Sequence, residues 1–85
     1  MGNHQTDFQG DILEAIRTSI TDAIPGAKVE ATGGGGHFSI EVISEAFEGK
    51  RLLDKQRMVY MAIAHLMAGD MAPVHAVDSL KTITP

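Results

Sequence analysis

The sequence predicts a small α/β (α+β) domain in the order α-β-β-α-β, with a three-stranded mixed sheet and both helices packed on one face of it. Three observations predict it. Phe8, Ile12, Ile16, Ile20 and Ile24 recur every four residues, and Leu52, Val59, Ile63 and Leu66 form a second helical stripe. Two runs of alternating apolar and polar residues flank the glycines Gly33 to Gly36, and a third run follows the second helix. With 85 residues the chain has room for one domain, read as 1–85 with residues 1–6 as a flexible terminus. A chain of this size buries only about 60–65% of its unfolded surface, which leaves little room for a large internal active-site cavity.

The first helix is expected over residues 7 to 24. Thr6 and Gln9 have capping-box spacing, and Leu13 and Ala23 flank the isoleucine stripe. Pro25-Gly26 ends the helix, because proline cannot extend it and glycine accepts the backbone of a chain reversal. In "AKVEAT", Ala27, Val29 and Ala31 fall on one face and Lys28 and Glu30 on the other, as in a half-buried strand. Phe38, Ile40 and Val42 alternate with Ser39 and Glu41 in the same way, so the short glycine link between the two runs predicts an antiparallel hairpin.

"SEAFEG" breaks the alternation, and Phe47 is expected to fold back onto the core. The second helix runs from Leu52 to about residue 68, where Gly69 closes it; Leu53, Tyr60 and Met67 widen its apolar stripe. "GDMAP" reads as a turn and "VHAVDSLKTIT" as a third strand, whose alternation fails around Asp78 and Ser79 as a bulge would make it. The strand-helix-strand portion requires parallel strands and a right-handed crossover. Parallel strands begin at one edge of a sheet. His37, first in the second strand, and His75, second in the third, are therefore expected near one another, beside the glycine loop.

Composition excludes several classes of function. Apolar residues make up 44% and charged residues 21%, as in an ordinary soluble chain, and no apolar run approaches the roughly 18 residues that span a bilayer. The N-terminus lacks the basic and apolar regions of a secretory signal, so a cytoplasmic location is expected. "MGNHQT" matches a myristoylation pattern, but no polybasic segment follows to supply a second membrane signal. The absence of cysteine removes disulfides, thiol nucleophiles and any thiolate-ligated metal site held by this chain alone. The net charge of −4 argues against general affinity for phosphate backbones. Lys50, Arg51, Lys55 and Arg57 nonetheless form one local basic cluster at the start of the second helix.

"FEGKRLLDKQRMVY", "VHAV" and "KTITP" together resemble the BolA-like family: an F-x-G turn, a basic helix ending in V-Y, a histidine-alanine pair and a closing T-x-T-P. The resemblance runs from the first helix to Pro85. It implies a small fold similar to the type II KH fold, binding to a monothiol glutaredoxin, and shared coordination of a [2Fe-2S] cluster in iron–sulfur and iron homeostasis. Glutathione would be supplied on the partner's side, and this chain would hold no cluster alone. The family's near-invariant histidine before alanine falls on His75. Its second ligand comes from the loop between the first two strands, where His37 is the one residue of suitable type.

Some BolA-like proteins are linked to DNA binding, transcriptional control and stress responses, and here that role would fall to Lys50, Arg51, Lys55 and Arg57. The apo form is expected as a monomer or weak homodimer.

Three departures from the family stand out. Lys55-Gln56-Arg57 replaces a frequent Arg-His-Arg, the segment from His75 to Lys81 is one residue longer than usual, and the tryptophan-containing final helix common in the family is absent up to Pro85.

Two histidines cannot complete a structural zinc site, which takes four ligands, but imidazoles can replace thiolates on one iron of a [2Fe-2S] centre. His65, in the last turn of the second helix, reads as an exposed residue suited to the helix dipole. No nucleophile with an adjacent base and no paired acid and base are identifiable, so the chain is not read as an enzyme. The glycine run satisfies the G-x-x-G spacing of KH domains, yet it joins two strands rather than two helices. A phosphate loop would open a helix, and this one opens a strand with His37-Phe38. Gly33, Gly34, Gly35 and Gly36 are read instead as a flexible connection that lets His37 approach His75.

Overall fold

A computed structural model describes residues 11–85. The helix α1 (Ile12–Ala23) starts where a side chain permits it. The backbone of Asp11 is extended, and its carboxylate accepts hydrogen bonds from the backbone N–H groups of Leu13, at 3.0 Å, and Glu14, at 3.3 Å. Two of the four donors left over at a helix start are thereby satisfied. Among the described residues α1 begins at Ile12, with the extended Asp11 as its boundary. Thr6, Phe8 and Gln9, together with the myristoylation pattern and His4, lie outside the described residues. The Arg17 guanidinium donates to Glu14 at 2.8 Å and holds that carboxyl below the usual glutamate range. Ile16, Ile20 and Ile24 are buried as their spacing predicts.

The strands β1 (Lys28–Gly34) and β2 (His37–Ile43) pair antiparallel from Lys28 opposite Ile43 to Gly34 opposite His37. The glycine run is therefore not a four-residue loop. Gly33 and Gly34 are strand residues, and Gly35-Gly36 alone make the turn, with φ of +62° and +87°. Positive φ at both central residues is the hairpin turn whose twist matches that of the strands it joins. After β2 a short 3-10 turn, Glu45–Phe47, is capped by the Ser44 hydroxyl, which accepts from the Ala46 N–H at 3.0 Å. It places Phe47 in the core with no exposed surface. Burial of such a ring contributes about 1.5–3 kcal/mol.

The helix α2 (Leu52–Met67) crosses to β3 (Ala76–Ile83), which pairs parallel to β2; the sheet order is β1-β2-β3. Ala31, Phe38, Ile40 and Val42 of the sheet meet Ile16, Ile20 and Ile24 of α1 and Val59, Ile63 and Leu66 of α2 in one buried cluster. Both helices thus cover one face. On the opposite face Glu30, Thr32, Ser39, Glu41, Ser79 and Lys81, together with Ile40, line a shallow groove.

Two expectations about α2 and β3 are corrected. Leu52, Leu53 and Tyr60 do not join the core; they are 62%, 53% and 39% exposed. Leu53 and Tyr60 lie about 100–120° around the helix from Val59, and Leu52 occupies the uncovered first residue. The third strand starts at Ala76 rather than Val74. Val74 is a buried loop residue whose N–H donates to the carbonyl of Leu66 at 3.0 Å, closing the end of α2. Among the described residues no helix is long and apolar enough to cross a membrane.

Candidate functional site

The site forms at the shared starting edge of β2 and β3. The carbonyl of Gly36 accepts hydrogen bonds from two consecutive backbone N–H groups, those of His75 at 2.8 Å and Ala76 at 2.9 Å. Ala76 then pairs with His37 across the parallel ladder. His75 is the residue immediately before β3, not the second within it, yet this double hydrogen bond fastens it to the hairpin. Its ring also rests on Gly36: a Cβ built there would stand 2.9 Å from His75 Cγ and Cδ2. Glycine is required at 36 for two independent reasons, the positive φ of the turn and the space occupied by the histidine ring.

His37 is exposed, on the strand position opposite in facing to buried Phe38. Its Nδ1 lies 3.1 Å from Oδ1 of Asp78. Asp78 is the extra residue of a β-bulge: Phe38 pairs with Val77 and Ser39 with Ser79, so Asp78 has no partner in the ladder. The irregular alternation around Asp78 and Ser79 signalled this bulge. Nothing in the sequence pattern signalled that it would bring a carboxylate to His37, because that contact depends on the register of strands far apart in the chain.

The basic cluster lies elsewhere, at the start of α2. Lys50, Arg51 and Arg57 are exposed and Lys55 half-buried, and Arg51 Nε donates to Asp54 at 3.1 Å. Leu52, Leu53, Tyr60 and Met61 of the same helix are exposed as well. His65 is exposed in the last turn of α2, and its Nε2 lies 3.2 Å from the Ser19 hydroxyl of α1. The structure therefore brings His37 and His75 to one edge, separates them from the basic cluster, and gives His65 a link between the two helices.

The sequence and the fold are similar to those of known proteins. Residues 5–85 match the family described as "BolA-like protein". Protein BOLA2 of Arabidopsis thaliana is 40% identical over 74 residues, spanning 86% of this chain and 75% of that protein. Two proteins of Escherichia coli strain K12 are each 31% identical. Acid stress protein IbaG matches over 82% of this chain and 80% of its own length. The DNA-binding transcriptional regulator BolA matches over 91% of this chain and 64% of its own. The solved structure of a bolA protein homologue from Coxiella burnetii superimposes with a TM-score of 0.70 at 37% identity, covering 85% of this chain and 88% of that one. With the family match running over almost the whole sequence and the same fold seen at substantial identity, this chain belongs to the BolA-like family.

Proposed function

We propose that the chain is an adaptor that binds a monothiol glutaredoxin and lends His75 and His37 to a [2Fe-2S] cluster shared with it. The observation that carries this reading is the fastening of His75 to Gly36, which sets its backbone roughly 6 Å from that of His37 by strand geometry. The donor chemistry fits. Two imidazoles can serve one iron of such a cluster, and the chain has no cysteine. Among the described residues no three His, Asp or Glu side chains gather where they could hold a metal. In this reading the remaining ligands, thiolates and glutathione among them, come from the partner. When bound, the cluster supplies a transferable iron–sulfur unit; the residues of this chain supply nitrogen ligands and a docking surface.

The test is to mix the protein with a monothiol glutaredoxin, glutathione, iron and sulfide without oxygen and to follow visible circular dichroism. A mixed-ligand spectrum distinct from that of the glutaredoxin homodimer is expected, and it should be lost in His75→Ala. A His75→Ala variant that leaves the mixed spectrum unaltered refutes the assignment.

The basic cluster, exposed except for the half-buried Lys55, favours a second reading, a DNA-binding regulator, which is also the description of one Escherichia coli relative. Lys50, Arg51, Lys55 and Arg57 would contact phosphates, which position a protein on DNA without reading sequence. Affinity should then fall steeply with salt and weaken in the double variant Lys55→Ala/Arg57→Ala, with His75→Ala unchanged. Absent or salt-insensitive binding dismisses this reading.

A further inference from the structure

The bulge in β3 falls between two residues that pack against the core. Val77 and Leu80 both pack against the core, and Asp78 and Ser79 are the exposed residues between them. A regular strand alternates faces, so two core-facing residues three apart require one extra residue between them. Without Asp78 the order Val77, Ser79, Leu80 would alternate without interruption, and the core would be built from the same side chains. Besides the local kink and twist of any bulge, the extra residue brings a carboxylate to 3.1 Å from Nδ1 of His37.

We propose that Asp78 is a positioning residue for His37. By accepting a hydrogen bond from Nδ1–H, its carboxylate holds the neutral imidazole in the tautomer whose Nε2 carries the lone pair, and it fixes the direction in which that nitrogen points. A ligating histidine commonly donates its second ring N–H to a carboxylate, which selects the tautomer and raises the basicity of the ligating nitrogen. His37 sits beside a two-residue glycine turn and is 60% exposed at its side chain, so few other contacts limit its ring. The contact also commits His37 to ligation through Nε2 rather than Nδ1. This inference rests on the reading of His37 as a cluster ligand.

The test has two readouts. In the apo protein, at a pH where imidazole is neutral, ¹⁵N shifts of the His37 ring should report a proton on Nδ1. Asp78→Ala should move population toward the Nε2–H form, and Asp78→Asn, which keeps an acceptor oxygen, should retain the Nδ1–H form. In the mixed cluster with glutaredoxin, Asp78→Ala should weaken assembly about 10-fold or more, and Asp78→Asn less. Deletion of Asp78 should fold, with β3 regular, and behave like Asp78→Ala.

An apo tautomer that ignores Asp78→Ala overturns the assignment whatever the cluster does. So does a tautomer that shifts while assembly stays unchanged. If the wild-type protein forms no mixed cluster, the adaptor reading fails and takes the ligand role of Asp78 with it; the apo shifts distinguish that failure from the first.

Discussion

Gly36 bears most directly on the geometry of the site, and its role separates cleanly from that of its neighbour. Gly35 and Gly36 both have positive φ, so an alanine at either adopts a backbone that costs an L-residue about 1–2 kcal/mol. Only at Gly36 would the new methyl strike another group, the ring of His75; at Gly35 nothing lies within 4 Å. Both variants should lose comparable stability in urea, with Gly36→Ala somewhat the worse, but only Gly36→Ala should shift the His75 ring resonances and impair mixed-cluster assembly. Equal effects of the two variants on His75 would show that its ring is not held by this contact. The sequence made the two histidines legible as neighbours, since two parallel strands that begin at one edge bring together whatever stands first in each. It did not make Gly36 legible as a support for His75 or Asp78 as a partner of His37. Both contacts join segments that only the β2–β3 register aligns, and a one-residue bulge decides which side chain arrives.

Periodicity read the elements well wherever burial was complete and misread them where a helix end or flank met solvent. Ile16, Ile20 and Ile24 of the α1 stripe and the alternation of β2 are reproduced in the core, because a buried face constrains every residue on it. Leu52, Leu53 and Tyr60 broke the rule, since an apolar residue on an uncovered helix flank has the same local pattern as one facing a core. The two kinds of position on α2 predict opposite outcomes. Ile63 has no exposed surface, and Ile63→Ala should cost about 2–5 kcal/mol through lost burial and the cavity left behind. Met61 is 78% exposed, and Met61→Ala should change stability by less than about 0.5 kcal/mol. Urea denaturation with a common m-value checks both. A large loss at Met61 would mean that this flank is covered in the free protein, by a second copy or another segment.

For the whole molecule, the site exists only through long-range assembly. An isolated two-stranded hairpin is marginal in water, so β1 and β2 alone would not hold His37 in place. His75 reaches the hairpin only after α2 has crossed the sheet, with the Val74 N–H bound to the carbonyl of Leu66 on one side and the His75 N–H to that of Gly36 on the other. These two hydrogen bonds tie Val74 to the helix and His75 to the turn, and β2, the central strand, is paired along both edges. The histidine edge should therefore be lost together with the fold and not before it. In urea, the His75 ring resonances, the far-ultraviolet dichroism of the helices and the amide protection of Phe38, Ile40 and Val42 should report one transition with one midpoint. Loss of the His75 signal at distinctly lower urea would mark the edge as a separately opening unit and would make its geometry in the free protein a poor guide to ligation. Coincident transitions carry a further consequence: a partner that engages this edge in the folded state alone must raise the midpoint of the entire domain, by an amount set by its concentration relative to its dissociation constant.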